Sequence, residues 1–158
     1  MEKVLSEKDL TQCTFYFRYY LVRAVDKVGL GDRYVEMLQP WRDMLKMGLT
    51  TFAENPEPTR SDCHAWSASP NYDLLATVCG IIPAEPGFKS VKIEPHLGPL
   101  TWVEGKMPHP LGEIQVRFER SGKTGVKADI TLPQGLKGKF YWNGKSIPLK
   151  SGSQTVNM

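Results

Sequence analysis

The chain holds 158 residues, 41% apolar, 23% charged and 10% aromatic, with a formal net charge of +3. That length corresponds to about one domain, and this apolar content excludes a disordered chain. A charge so small and scattered, without basic residues interleaved with aromatics, points away from nucleic acid. No stretch approaches the roughly 18 consecutive apolar residues of a membrane helix, and the N-terminus lacks a basic start followed by an apolar core. The chain therefore reads as soluble, without membrane insertion, and no compartment is indicated. Three cysteines, Cys13, Cys63 and Cys79, form no C-x-x-C and no even set, which argues against a disulfide framework or a zinc ribbon.

The averages conceal a division near Pro83. Residues 1–82 contain 4 Pro and 4 Gly with 9 basic and 11 acidic side chains, whereas residues 83–158 contain 8 Pro and 10 Gly with 11 basic and 6 acidic ones. The first part reads as helices. Phe15, Tyr19, Val22 and Val25, flanked by Tyr16, Tyr20 and Ala24, recur at spacings of three and four and predict a helix that ends at Gly29 to Gly31. Asp32 is the expected cap of a second helix through Tyr34, Val35, Leu38, Trp41 and Leu45, kinked or restarted at Pro40 and closed by Gly48. Residues 49–63 are expected to be a loop. A third helix is predicted from Ser69-Pro70 through Leu74, Leu75 and Val78 to Gly80.

The second part reads as strands. Residues 90–94, 113–120 and 126–130 alternate polar and apolar, and residues 139–147 carry a hairpin signal at Asn143-Gly144, whose residues suit a type I′ turn. The fold class is thus α plus β in two parts, 1–82 helical and 83–158 a small antiparallel β-sandwich. About three helices in some 80 residues leave more apolar surface than one sandwich face covers, so they require an oligomer or, in preference, further parts of a larger protein.

Chemistry-bearing residues concentrate between the second and third helices. Glu54, Glu57, Arg60, Asp62, Cys63, His64 and Trp66 fall within one loop, where a helical scaffold presents functional groups. A carboxylate such as Glu54 can activate water, His64 can donate to a hydroxyl, and Trp66 can offer an apolar platform to a sugar ring. From the residues alone the simpler reading makes Glu54 a solvated or capping carboxylate, His64 a satisfied histidine and Trp66 a core residue. Cys63 beside His64 as a nucleophile and base is disfavoured, because sequence neighbours point apart; a metal set of Asp62, Cys63, His64 and Cys79 matches no zinc spacing. Cys13 and Cys79 read as core residues, and His96 and His109 as surface residues in Pro/Gly-rich loops.

Three ordered segments carry a resemblance: T-T-x-x-E (Thr50, Thr51, Glu54), S-D-C-H-A-W-S-A (Ser61 to Ala68) and G-I-x-P-x-x-P-G-F-K-S-V-x-I-x-P (Gly80 to Pro95). Together they resemble the C-terminal end of bacterial α-L-rhamnosidases of glycoside hydrolase family 78. The resemblance implies that the helices are the last hairpins of an incomplete (α/α)6 barrel and that the strands are the C-terminal sandwich. It further implies that Glu54 is the general base of an inverting hydrolysis of terminal α-L-rhamnosyl residues, and that His64 and, beside it, Trp66 contact the sugar. No cofactor and no metal are implied. The expected partners are rhamnose-containing glycans or glycosides, the N-terminal part of the same enzyme and, through the exposed helices, a second copy. The general acid of such enzymes lies on an earlier loop, so this chain is expected to be a fragment inactive by itself. The alternative from another class is a stand-alone carbohydrate-binding or interaction module, binding through Trp102, Phe140 or Trp142 without catalysis.

Overall fold

A computed structural model describes every residue except Met1, Lys8, Pro56 and Glu57, so the second glutamate of the central loop lies outside the described residues. The chain forms two compact units, Met1–Tyr72 and Asp73–Met158.

In the first unit a short helix α1 (Glu2–Ser6) precedes α2 (Phe15–Lys27), whose aromatic stripe forms the expected helix and buries Phe15, Val22 and Val25. The expected second helix is divided. Asp32 lies within a 3-10 turn (Gly31–Arg33) instead of capping a helix, and α3 (Tyr34–Met37) is separated at Leu38 from α4 (Gln39–Lys46). Pro40 occupies the first turn of α4, where its missing N–H and fixed φ cost nothing, and so restarts the helix as expected. Gly48, at φ +78°, ends it: its N–H donates to the Leu45 carbonyl and that of Leu49 to the Met44 carbonyl, a paired closure that favours glycine. Phe15, Trp41, Met44 and Ala53 form the core, with Leu38, Leu49 and Phe52 against it; the Phe15 and Trp41 rings lie 5.1 Å apart.

The third helix departs from expectation. It is one turn, α5 (Pro70–Asp73), followed by a π turn over Leu74–Val78. The His96 N–H reaches the Thr77 and Val78 carbonyls, and Cys79 joins the sandwich core. Packing of 74–81 into that core therefore overrides continuation of the helix, and the second unit begins ten residues before the composition shift. Five helices of 4 to 13 residues among those described close no barrel by themselves.

The second unit contains two four-stranded sheets. One has the order β1 (Ile81–Pro83), β2 (Ser90–Ile93), β6 (Lys137–Trp142), β7 (Lys145–Leu149); the other has β3 (Trp102–His109), β4 (Gly112–Ser121), β5 (Gly125–Leu132), β8 (Gly152–Asn157). The expected strands are all present, and β1, β3 and β8 are additional. One pairing corrects the antiparallel expectation: β2 and β6 run parallel, Ser90 opposite Lys137 and Ile93 opposite Phe140. Alternation holds inside, with Ile114, Val116 and Phe118 of β4 and Val126, Ala128, Ile130 and Leu132 of β5 buried. Phe118 and Phe140, one from each sheet, stack at the centre with centroids 5.7 Å apart. Asn143 and Gly144 take φ of +48° and +74°, the pattern of the expected I′ turn. No helix among the described residues is long and apolar enough to cross a membrane.

Candidate functional site

The loop after α4 is held from both ends. Ala53 is fully buried beneath it, and the Trp41 indole N–H donates to the Ser67 carbonyl over 2.8 Å. Between these anchors the chain folds back on itself. The Glu54 N–H donates to the Arg60 carbonyl (2.9 Å), the His64 N–H donates to the Phe52 carbonyl (2.6 Å), and the Thr51 hydroxyl donates to the Asp62 carbonyl. Ser61, at φ +54°, makes the reversal, a left-handed conformation uncommon outside glycine. The doubling back brings together residues six to twelve apart in sequence.

Glu54 is gripped by Arg60. The guanidinium donates from Nε to Oε2 (2.9 Å) and from Nη2 to Oε1 (2.6 Å), a two-pronged pairing. These hydrogen bonds hold the Glu54 carboxyl below its ordinary pKa, with the charges of Arg60 and His64 acting in the same direction and burial opposing them. Arg60 is raised in turn by the same partner. Glu54 is therefore ionised over the neutral range, but both its oxygens are engaged. His64 is half-buried and stands perpendicular to the Trp66 ring at 5.9 Å. Trp66 is 65% exposed, which overturns a core role for it, and its ring centre lies 4.7 Å from that of Tyr16 of α2. His64 thus neighbours both Glu54 and Trp66.

Two members of this constellation escape a reading of the sequence. Arg60 carries no motif signal for its grip on Glu54, which depends on the reversal at Ser61. Tyr16 has one weak signal, its spacing of four from Tyr20, whose hydroxyl it meets at 3.1 Å. Arg60 also lines a hollow of about 570 Å³ with Cys13, Thr14 and Asn55, but Glu54, His64 and Trp66 do not line it.

The competing sites fare differently. Cys63 is exposed, Cys13 half-buried and Cys79 buried, the last with its thiol pushed up to about 11 by burial. Among the described residues no three His, Cys, Asp or Glu side chains converge as a metal site. His109 corrects the surface expectation: it is half-buried, its Nε2 donates to the Phe88 carbonyl (2.9 Å), and its Nδ1 accepts from the Leu111 N–H. His96 is half-buried as well. Of the sandwich aromatics, Phe140 is fully buried and Trp142 is 9% exposed with its indole N–H on the Thr124 carbonyl, so neither is available to a glycan. Trp102 is 51% exposed, under the Arg117 guanidinium at 4.8 Å.

Residues 80–156 match the family model described as bacterial alpha-L-rhamnosidase C-terminal domain. Among solved structures, the GH78 family rhamnosidase of Bacillus sp. GL1 is 28% identical over 86% of this chain, with a TM-score of 0.78. The alpha-L-rhamnosidase from Aspergillus terreus is 22% identical over 89% of the chain (TM-score 0.79). That from Streptomyces avermitilis, complexed with L-rhamnose, is 17% identical over 89% (TM-score 0.74). The chain spans 16%, 18% and 17% of the length of these three proteins respectively. No curated protein matches it.

Proposed function

We propose, from the match of residues 80–156 to the bacterial alpha-L-rhamnosidase C-terminal domain, that this chain is the C-terminal portion of a glycosidase that hydrolyses terminal α-L-rhamnosyl residues with inversion. In this reading the helices of residues 1–82 complete an (α/α)6 catalytic barrel, and Glu54 is the general base. Glu54 takes a proton from water, the oxygen of that water attacks the anomeric carbon, and the bond to the leaving oxygen breaks. An acid outside this chain protonates the leaving group. Inversion requires the two carboxyl groups roughly 6.5 to 9.5 Å apart, with the water between them. His64 donates to a ring hydroxyl, and the open face of Trp66 supports the sugar's apolar side.

The observation that carries the proposal is the grouping of an ionised Glu54, a half-buried His64 and an exposed Trp66 on one anchored loop. Arg60 keeps Glu54 charged and must release one oxygen for water to approach it. In the full-length enzyme, Glu54→Gln keeps the shape and removes the base, so turnover of a rhamnoside falls by roughly 10² to 10⁴. Near-unchanged turnover would remove Glu54 from the mechanism.

A further inference from the structure

The outer faces of the two sheets differ in how their charges are balanced. On the β3-β4-β5-β8 sheet, ion pairs link Arg117 to Glu104 and Glu119, Lys106 to Glu113, and Lys127 to Asp129. That face neutralises itself. On the other sheet, Lys137 and Lys139 project from β6, two residues apart and therefore on one side, with roots about 6.6 Å apart. Lys92 stands opposite Lys139 in the parallel register. The positions across β7 are neutral, Pro148 opposite Lys139 and Ser146 opposite Tyr141. Glu94 is taken by Lys92, and Glu85 accepts the Ser90 hydroxyl. Lys137 and Lys139 make no ion pair among the described residues.

These side chains line a groove of about 300 Å³ with Ser90 and Tyr141, at the lower end of the roughly 300 to 1,000 Å³ of ligand pockets. Its floor is built for close approach: a Cβ on Gly138 would lie 2.3 Å from the Val91 carbonyl oxygen, so only glycine lets β6 lie this close to β2. The Lys92 ammonium sits 5.2 Å from the centre of the Tyr141 ring, which fixes a third cation at one side of the groove. Lys92 is already paired with Glu94; the uncompensated ammonium groups of Lys137 and Lys139, side by side on a concave, aromatic-edged surface, attract an anion that offers several oxygens.

We propose that this groove binds the carboxylates of an acidic glycan, a chain containing uronic acid residues. The choice of a glycan over other polyanions rests on the glycosidase reading above; the anionic character rests on the lysines alone.

The test is titration of the full 158-residue chain with polygalacturonate oligomers at low salt, alongside their methyl esters and single-stranded DNA. Saturable binding to polygalacturonate, abolished by esterification and weakened about tenfold or more in Lys137→Gln/Lys139→Gln, is the expected result. Lys123→Gln, an exposed lysine outside the groove, leaves binding unchanged. Thermal midpoints establish that the variants are folded, and Lys139→Glu provides a second, stronger reversal. Absence of saturable binding, equal binding of the ester, an equal loss in Lys123→Gln, or DNA bound as tightly as the uronate would each overturn the assignment. Rhamnoside turnover by the full-length enzyme is a separate readout: its absence with uronate binding intact defeats only the glycosidase reading, and the converse defeats only this one.

Discussion

Phe118→Ala tests the account of the sandwich core. Phe118 is fully buried on β4 and stacks on Phe140 of β6 with an interplanar angle of 10°. Removing its ring deletes buried apolar surface and leaves a cavity between two sheets whose backbone ladders prevent collapse, a change that costs about 3 to 5 kcal/mol in such sites. The paired ring accounts for about 0.5 to 1.5 kcal/mol beyond area. Against a domain stability of roughly 5 to 15 kcal/mol, the loss is about a fifth or more of the total. For a unit of this size each kcal/mol shifts the midpoint by roughly 4 to 8 °C, so the sandwich transition falls by at least about 12 °C. Urea unfolding followed by the β-sheet circular dichroism band measures the change directly. Phe118→Leu, which keeps most of the volume, is expected to cost under about 2 kcal/mol. A cost for Phe118→Ala below about 1 kcal/mol, or equal costs for the two substitutions, would refute the stacked pair as the centre of the core.

Gly80 sits at φ +67°, and a Cβ there would lie 2.0 Å from the Glu94 carbonyl oxygen; Gly80→Ala is expected to lose at least about 2 kcal/mol, and an unchanged unfolding midpoint would contradict the close approach. Because Arg60 depresses the Glu54 pKa, the pair's contribution to stability is fully present above the ordinary glutamate value of about 4.3 and is lost as pH falls through the lower folded value. The stability difference between the wild-type chain and Glu54→Gln should therefore shrink in acid; a difference constant from about pH 7 to about pH 3 would count against the pairing. The Cys79 thiol, buried and raised to about 11, should resist a thiolate-directed reagent at about pH 8 until the chain unfolds, whereas exposed Cys63 reacts at once. Native-state labelling of Cys79 at the rate of Cys63 would show that its burial is wrong.

What could be read without coordinates was local. The stripe from Phe15 to Val25 formed its helix, and the alternations at 113–120 and 126–130 formed their strands. Asn143-Gly144 made its turn, because each depends on residues within a few positions of one another. Strand β3 was hidden because Gly105 and Pro108 interrupt its pattern and only half-buried Val103 and Met107 mark its inner face. The expected helix beyond Asp73 yielded to packing within the sandwich unit, which no spacing in that segment encodes.

The candidate site divides in the same way. Ordered motifs placed Glu54, His64 and Trp66 in one loop by sequence alone, since a loop between helices gathers its own residues. The grip of Arg60 on Glu54 required the reversal at Ser61. The seat of Trp66 required the Tyr16 ring to arrive from another helix, and the uncompensated lysines of β6 became visible only when β2 paired with it in parallel. Alternation along a strand says which side chains face out but not which strand lies next to it, so the residue types were set by the sequence and their electrostatic neighbours by tertiary pairing.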